Sequence, residues 1–302
     1  MSFSSDVKLE IIEAENEPCC QKAEAYGLLL FSRSFSASSV EFLTEQEVLV
    51  NKYNDYVIMA TGRPADIRLT PAGNHKLVVR QKEQRIKLLS YFGHDANEIS
   101  LRINLANLTN ECCNRAFLRG AFLSCGTVTD PEKEYHLEFS IAYKNLTKDF
   151  VRLCEEMEFS PKTTIRQNNH IVYFKDSGNI EDVLTSMGAV NASLSLMGVK
   201  MYKNIINNTN RRVNFDNANI KRSTDSAMVY IDAIRAIEKS KGLDCLPEEL
   251  KELAILRLEN PDMSQKELAR SLSTPISLTA VNRRLKKIVE IADTILDKNC
   301  KK

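Results

Sequence analysis

The chain has 302 residues, 43% hydrophobic and 27% charged, which is enough apolar material for more than one buried core and suggests two or three domains. A net charge of +1 excludes binding of nucleic acid or membrane through overall charge, so an electrostatic partner must be served by a local cluster. No basic segment followed by an apolar core opens the sequence, and no run approaches the roughly 18 apolar residues of a membrane span. The expected location is therefore cytoplasmic, without a membrane partner.

The first helix expected in chain order is CCQKAEAYGLLLFSR, residues 19–33. An alternating segment at 38–43 follows and reads as a half-buried strand, then a helix at 47–59. Two short strands, 66–69 and 76–80, surround the turn residues Pro71 to Asn74, and a helix at 84–92 closes the series. The order then recurs. ECCNRAFLRGAFLSCG, residues 111–126, is a helix; 135–143 alternates, with 127–130 as the first arm of a hairpin; 146–157 is helical. Strands at 163–166 and 171–175 flank Asn168 and Asn169, and a helix covers 180–187.

Aligning Cys19 with Cys112 places Cys20 on Cys113, Lys22 on Arg115, Ala23 on Ala116 and Gly27 on Gly120. Further on, His75 falls over His170 and Gly93 over Gly188. Two copies of one module, about 19–93 and 112–188, account for these matches. The chain holds eight cysteines with no C-x-x-C pair, too few for a disulfide scaffold. The two Cys-Cys pairs lack the loop spacing of a zinc site and read as small apolar residues packed at equivalent helix starts, so no metal or cofactor is expected.

Beyond the repeats, residues 192–206 look helical, and 204–219 is rich in Asn, a composition suited to capped turns at a domain boundary. RRVNFDNANIKRS carries Arg211, Arg212, Lys221 and Arg222 against Asp216, either a soluble connection or a phosphate-contacting hinge. A helix at 223–241 follows, with Met228, Ile231, Ile234 and Ile237 as its apolar stripe and Gly242 as its stop. The last segment then reads as a helix at 247–258 ended by Asn260-Pro261, a capping box from Ser264 to Glu267 opening a short helix to Leu272, a turn, and a longer helix capped by Ser277. Val281, Leu285, Ile288, Ala292 and Ile295 form the buried stripe of that longer helix. Helix, capped short helix, turn and longer helix is the helix-turn-helix order.

At about 100 degrees per residue, the side opposite the stripe carries Thr279, Arg283, Lys286 and Lys287, with Asn282 and Arg284 on its flanks. Arg reads guanine edges, Asn reads adenine, and Lys or Arg neutralises phosphate, so this face suits the major groove of double-stranded DNA. Ser264 and Lys266, at the start of the short helix, complete the expected DNA-binding set.

The stretch L118-R-G-A-F-L-S-C-G126 resembles the LAGLIDADG helix of homing endonucleases, with Gly120 and Gly126 on that family's glycine positions. More closely, CCNRAFLRGAFLSCGTVTDPEKEYHLEF, RRVNFDNANIKRS, LPEELKELAILRLENP and MSQKELARSL, in that order, are similar to the WhiA family of bacterial transcription regulators over nearly the whole chain. The resemblance implies an α+β fold: a duplicated LAGLIDADG homing-endonuclease-like domain at 1–205, a linker and helix at 206–242, and an all-α helix-turn-helix domain at 243–302. It also implies that the two glycine-bearing helices pack together at a pseudo-twofold axis, and that the protein acts in developmental gene control or cell division, on the nucleoid.

LAGLIDADG nucleases need a metal-binding carboxylate near the end of each such helix, and those positions hold Ser32 and Cys125. No catalytic residue is therefore expected, and the chain is expected not to be an enzyme. His75 and His170 have no identifiable acidic partner and read as structural. Arg68, Lys76, Arg80, Lys162, Arg166 and Lys175 outline a basic saddle on the strands, or only the solvated face of a sheet. The leading reading is a sequence-specific DNA-binding transcription regulator. The alternative is a scaffold whose front domain binds a protein partner of the transcription or cell-division machinery, such as RNA polymerase or another transcription factor.

Overall fold

The computed structural model describes residues 2–14 and 17–299, and the chain divides into two units, one up to Lys203 and the other from Asn204. The first unit begins with α1 (Phe3–Glu13) and α2 (Pro18–Leu30). Next come β1 (Ser34–Phe35), β2 (Val40–Thr44), α3 (Glu47–Thr61), β3 (Asp66–Leu69), β4 (His75–Val78) and α4 (Lys82–Tyr91). The same series then recurs as α5 (Glu111–Cys125), β5 (Gly126–Val128), β6 (Leu137–Ile141), α6 (Lys144–Glu156), β7 (Lys162–Arg166), β8 (Asn169–Phe174) and α7 (Ser177–Met187). Each series folds its strands into one antiparallel sheet of identical order, β1-β2-β4-β3 and β5-β6-β8-β7. His75 lies opposite Thr44 and Leu69, and His170 opposite Ile141 and Ile165, so the two histidines hold equivalent register positions.

The two sheets are organised around α2 and α5, which are buried without interruption over residues 23–30 and 116–123, the charged Glu24 and Arg119 included. Their axes approach closely because of one glycine on each. A Cβ on Gly27 would stand 2.2 Å from the Phe117 carbonyl oxygen, and one on Gly120 would stand 2.1 Å from the Glu24 carbonyl oxygen. The contact expected from the glycines is thus made by Gly27 and Gly120. Gly126 takes no part in it: a Cβ there would meet Phe122 of its own helix.

A buried ion cluster crosses the same interface. Glu24 on α2 receives Arg119 Nε from α5 at 2.8 Å, Lys52 Nζ from α3 at 2.7 Å and the Tyr56 hydroxyl at 2.9 Å. With Glu24 itself fully buried, the two cations supply the countercharge that a desolvated carboxylate requires.

Several features depart from the sequence reading. The helix α1 was not anticipated; it buries Val7 and Ile11 and uses the Glu10 carboxylate to accept the Asn191 and Ala192 amides at 2.6 and 3.1 Å. In the second hairpin the turn residues are Gln167 and Asn168, both at positive φ, while Asn169 already belongs to β8. Two successive residues of that conformation make the primed turn favoured by strand twist. The segment between the repeats has one short turn, Leu105–Asn107, and is held by a bidentate Arg102–Asp149 pair at 2.7 Å and by the Tyr26 hydroxyl, which accepts the Asn104 amide at 2.8 Å.

The largest correction concerns the Asn-rich stretch 204–219, expected to break into capped turns. It is helical throughout, part of the 52-residue α8 (Val190–Lys241). Asn lowers helix propensity by less than about 0.7 kcal/mol per residue, and neither Gly nor Pro occurs between Val199 and Lys241. The helix stops only at Gly242, at φ +73°. In the second unit Ile234 and Ile237 of α8 pack with α9 (Glu248–Glu259), α10 (Gln265–Ser271) and α11 (Leu278–Asn299). Met228, expected in that stripe, is exposed.

Candidate nucleic-acid interface

The three short-to-medium helices of the second unit are fixed by their turns. At the start of α10, Ser264 and Glu267 form the reciprocal capping box, the Ser264 amide donating to the Glu267 carboxylate at 2.8 Å and the Glu267 amide to the Ser264 hydroxyl at 3.3 Å. Hydrogen bonds from the Ser264 hydroxyl and amide hold the Glu267 carboxyl below its ordinary pKa. The α9–α10 turn closes over Arg257, a fully buried side chain whose Nη1 donates to the carbonyls of Pro261 and Met263 at 3.3 and 2.6 Å. After α10, Glu252 of α9 accepts the Ser273 amide at 2.6 Å and its hydroxyl at 3.1 Å. The Ser277 hydroxyl accepts the Ala280 amide at 3.2 Å and opens α11.

On α11, Val281, Leu285, Ile288, Ala292 and Ile295 are buried in the helical core. Thr279, Arg283, Lys286 and Lys287 lie on the opposite, exposed side. None of these three cations is in an ion pair among the described residues, so the face is left with uncompensated positive charge. The two flanking residues differ from them. Asn282 is half-buried, and Arg284 is turned to α9, where its Nη2 meets the Glu249 carboxylate at 2.7 Å. Lys266 is exposed in the first turn of α10, whereas the Ser264 hydroxyl is taken up by the cap.

Lys266 also lines a depression of about 450 Å³ with Arg222, Ser223 and Thr224 of α8 and Leu278 at the start of α11. The structure thereby brings Arg222, read from sequence as a hinge cation, beside the short helix. Arg270, exposed four residues after Lys266 on α10, adds a cation outside the expected set; its i,i+4 relation to Lys266 is the sequence signal that places it on the same face.

The positions that hold acids in LAGLIDADG nucleases lack ionic character. The Ser32 hydroxyl is buried and donates to the Leu29 carbonyl at 2.6 Å and the Ser34 carbonyl at 3.2 Å. Burial pushes the Cys125 thiol up to about 12, with Lys8 acting in the opposite direction. Lys8 is lowered by its own burial and donates to the Leu123 carbonyl at 3.2 Å. A hydroxyl and a neutral thiol are poor ligands for a hard divalent cation. Half of the basic saddle is neutralised on its own sheets: Lys76 pairs with Glu41 at 2.9 Å, Arg80 with Asp66 at 3.2 Å and Arg166 with Glu138 at 3.3 Å. Ile67, Leu69 and Ile165 are exposed on the same strands.

Comparison with known proteins finds two family matches along the chain. Residues 114–206 match the family described as the WhiA LAGLIDADG-like domain, and residues 209–292 match the WhiA C-terminal HTH domain. A "Probable cell division protein WhiA" of Alkaliphilus metalliredigens is 34% identical over 97% of this chain and 98% of that protein. The protein of the same name from Lachnospira eligens is 32% identical over 98% of each. The crystal structure of a full-length WhiA from Thermotoga maritima shares the fold with a TM-score of 0.61, at 22% identity, over 98% of this chain and 99% of that one.

Proposed function

The chain belongs to the WhiA family, and from that premise we propose that it is a sequence-specific, double-stranded-DNA-binding transcription regulator without nuclease activity. The observation that carries this reading is the exposed face of α11, where Arg283, Lys286 and Lys287 have no acidic partner among the described residues on the last helix of a helix-turn-helix. Arg283, Thr279 and Asn282 are the side chains assigned to base edges, and Lys286, Lys287 and Lys266 those assigned to phosphates. Arg284 is given a supporting role, because its guanidinium is engaged by Glu249, and Ser264 supports the site through its cap.

The absence of nuclease activity rests on Ser32 and Cys125, where the chemistry calls for carboxylates. The names of the relatives support a place in cell division, with the protein acting at the nucleoid. Mapping of bound DNA across the genome, followed by a footprint on one site, tests the reading. The expected result is a short protected sequence with no strand cleavage in the presence of Mg²⁺; protection spread evenly over unrelated sequences would refute it.

A second reading is favoured by the ion-paired strands and the exposed Ile67, Leu69 and Ile165. In it the LAGLIDADG-like domain contacts a protein of the transcription machinery, such as RNA polymerase or another transcription factor, while α11 holds the DNA. Neutralising substitutions at Arg68 and Lys162 distinguish the two: they leave the salt dependence of DNA binding unchanged if that domain serves a protein, and reduce its slope if it touches phosphates.

A further inference from the structure

The Cys-Cys pairs do not act separately. Cys19 and Cys20 lie in the first turn of α2, Cys112 and Cys113 in the first turn of α5, and the close crossing of those helices draws all four Sγ atoms within 4.8 Å of one another. The Cys19 sulfur is 3.8 Å from that of Cys112 and 3.9 Å from that of Cys20. A tetrahedral zinc tetrathiolate, with Zn–S bonds of about 2.3 Å, has sulfur–sulfur edges of about 3.8 Å. Among the described residues this is the one grouping of three or more His, Cys, Asp or Glu side chains close enough to share an ion.

We propose that Cys19, Cys20, Cys112 and Cys113 form a mononuclear tetrathiolate site for a thiophilic divalent cation, with Zn²⁺ as the ion that fits it. Sulfur-only tetrahedral donors select zinc or iron over hard cations, and sulfurs this close together are too tightly grouped for a polynuclear iron–sulfur cluster. The site is carried on two rigid helices. Cys20 and Cys113 form its buried side, and Cys19 and Cys112 are exposed, so the ion can enter from solvent. Four thiolates around a dication leave a net negative charge, and the first turns of α2 and α5 offer their positive dipole ends to it. The Thr109 hydroxyl, 3.7 Å from Cys113 Sγ, stands where an outer hydrogen-bond donor to a bound thiolate is needed. A bound ion would clamp the two repeats at the start of their shared helix pair and add its binding free energy to folding.

The test uses the full chain, purified under reductant without oxygen and titrated with Co²⁺. The expected result is one ion per chain with the thiolate-to-metal charge transfer and strong visible bands of tetrahedral sulfur coordination, displacement by Zn²⁺, and a raised Tm with either ion. Cys19→Ser with Cys112→Ser removes the bands and leaves the far-ultraviolet circular dichroism unchanged, while Cys245→Ser, an exposed cysteine of the other unit, keeps them. If the double variant does not fold, the single Cys112→Ser variant must weaken Co²⁺ binding by more than about tenfold, the loss that even an outer-shell partner can cause. Absence of the bands in protein with titratable free thiols overturns the proposal, as does their survival in the Cys19 and Cys112 variants. A Cys19–Cys112 disulfide in place of a metal in protein taken from cells overturns it too.

Discussion

Gly120→Ala is the substitution through which the packing of the central helices can be measured. In an unobstructed helix, exchanging Gly for Ala stabilises by up to about 1 kcal/mol, because Gly loses more backbone entropy on folding. At Gly120 the new methyl would lie 2.1 Å from the Glu24 carbonyl oxygen and 2.7 Å from the Leu28 nitrogen, both backbone atoms of α2. That is about 1.3 Å short of ordinary contact, and neither atom can move aside by changing a rotamer. The helices must separate, and a gap of up to about 1 Å forfeits a quarter to a half of each contact's attraction along the interface. A clash this deep against backbone lies at the upper end of the about 1–3 kcal/mol that overpacking costs, so after the propensity gain of up to about 1 kcal/mol the expected net effect is a loss of about 2 kcal/mol. Gly198→Ala is the internal control, since a Cβ there meets nothing within 4 Å; it should gain about 0.5–1 kcal/mol. Urea unfolding followed by circular dichroism reads both. A Gly120→Ala variant as stable as the parent, or a shift of both midpoints in the same direction, would mean that the two helices are not held in backbone contact at this glycine.

Two further outcomes follow from charged groups. Partial burial pushes the Asp149 carboxyl up, but hydrogen bonds from Arg102 and the Ile103 amide, with the nearby arginine charges, outweigh it and hold the group below the ordinary 3.8. A depressed carboxyl contributes stability that is present above the unfolded value and lost as pH falls through the folded one, so Asp149→Asn should flatten the decline in Tm below about pH 4 and lower Tm at neutral pH; an unchanged acid limb would contradict the assignment. Arg257→Met removes the donor of two turn carbonyls from a fully buried position. Leaving both unpaired should lower unfolding stability by about 2–4 kcal/mol, whereas a stabilised variant would mean that the buried cation outweighs its hydrogen bonds.

The duplication was legible because Cys-Cys, Ala23 with Ala116, and Gly27 with Gly120 recur in order, and because period-two alternation survives in strands that bury only one face. The helix-turn-helix was legible through local chemistry: the Ser264–Glu267 cap and the buried stripe of α11 each lie within a few residues. What escaped reading depends on contacts remote in sequence. Glu24 and Arg119 look like surface charges until the helices cross, and Cys19 and Cys112, 93 positions apart, meet only through the glycine contact. Residues 204–219 run against their composition for another reason: Asn favours caps and turns, but with no Gly or Pro to break the helix its modest penalty does not end it.

Whether α11 reads DNA is decided by anisotropy of the full chain on its footprinted duplex and on a scrambled one across a range of salt. Arg283→Ala with Lys286→Ala should reduce affinity for the footprinted duplex by about a hundredfold, from the loss of a guanine contact and a phosphate contact, at 1–3 kcal/mol for the base contact alone. The log–log salt slope should become shallower by about one, with Tm unchanged. Undiminished preference for the footprinted duplex in that variant would contradict the claim.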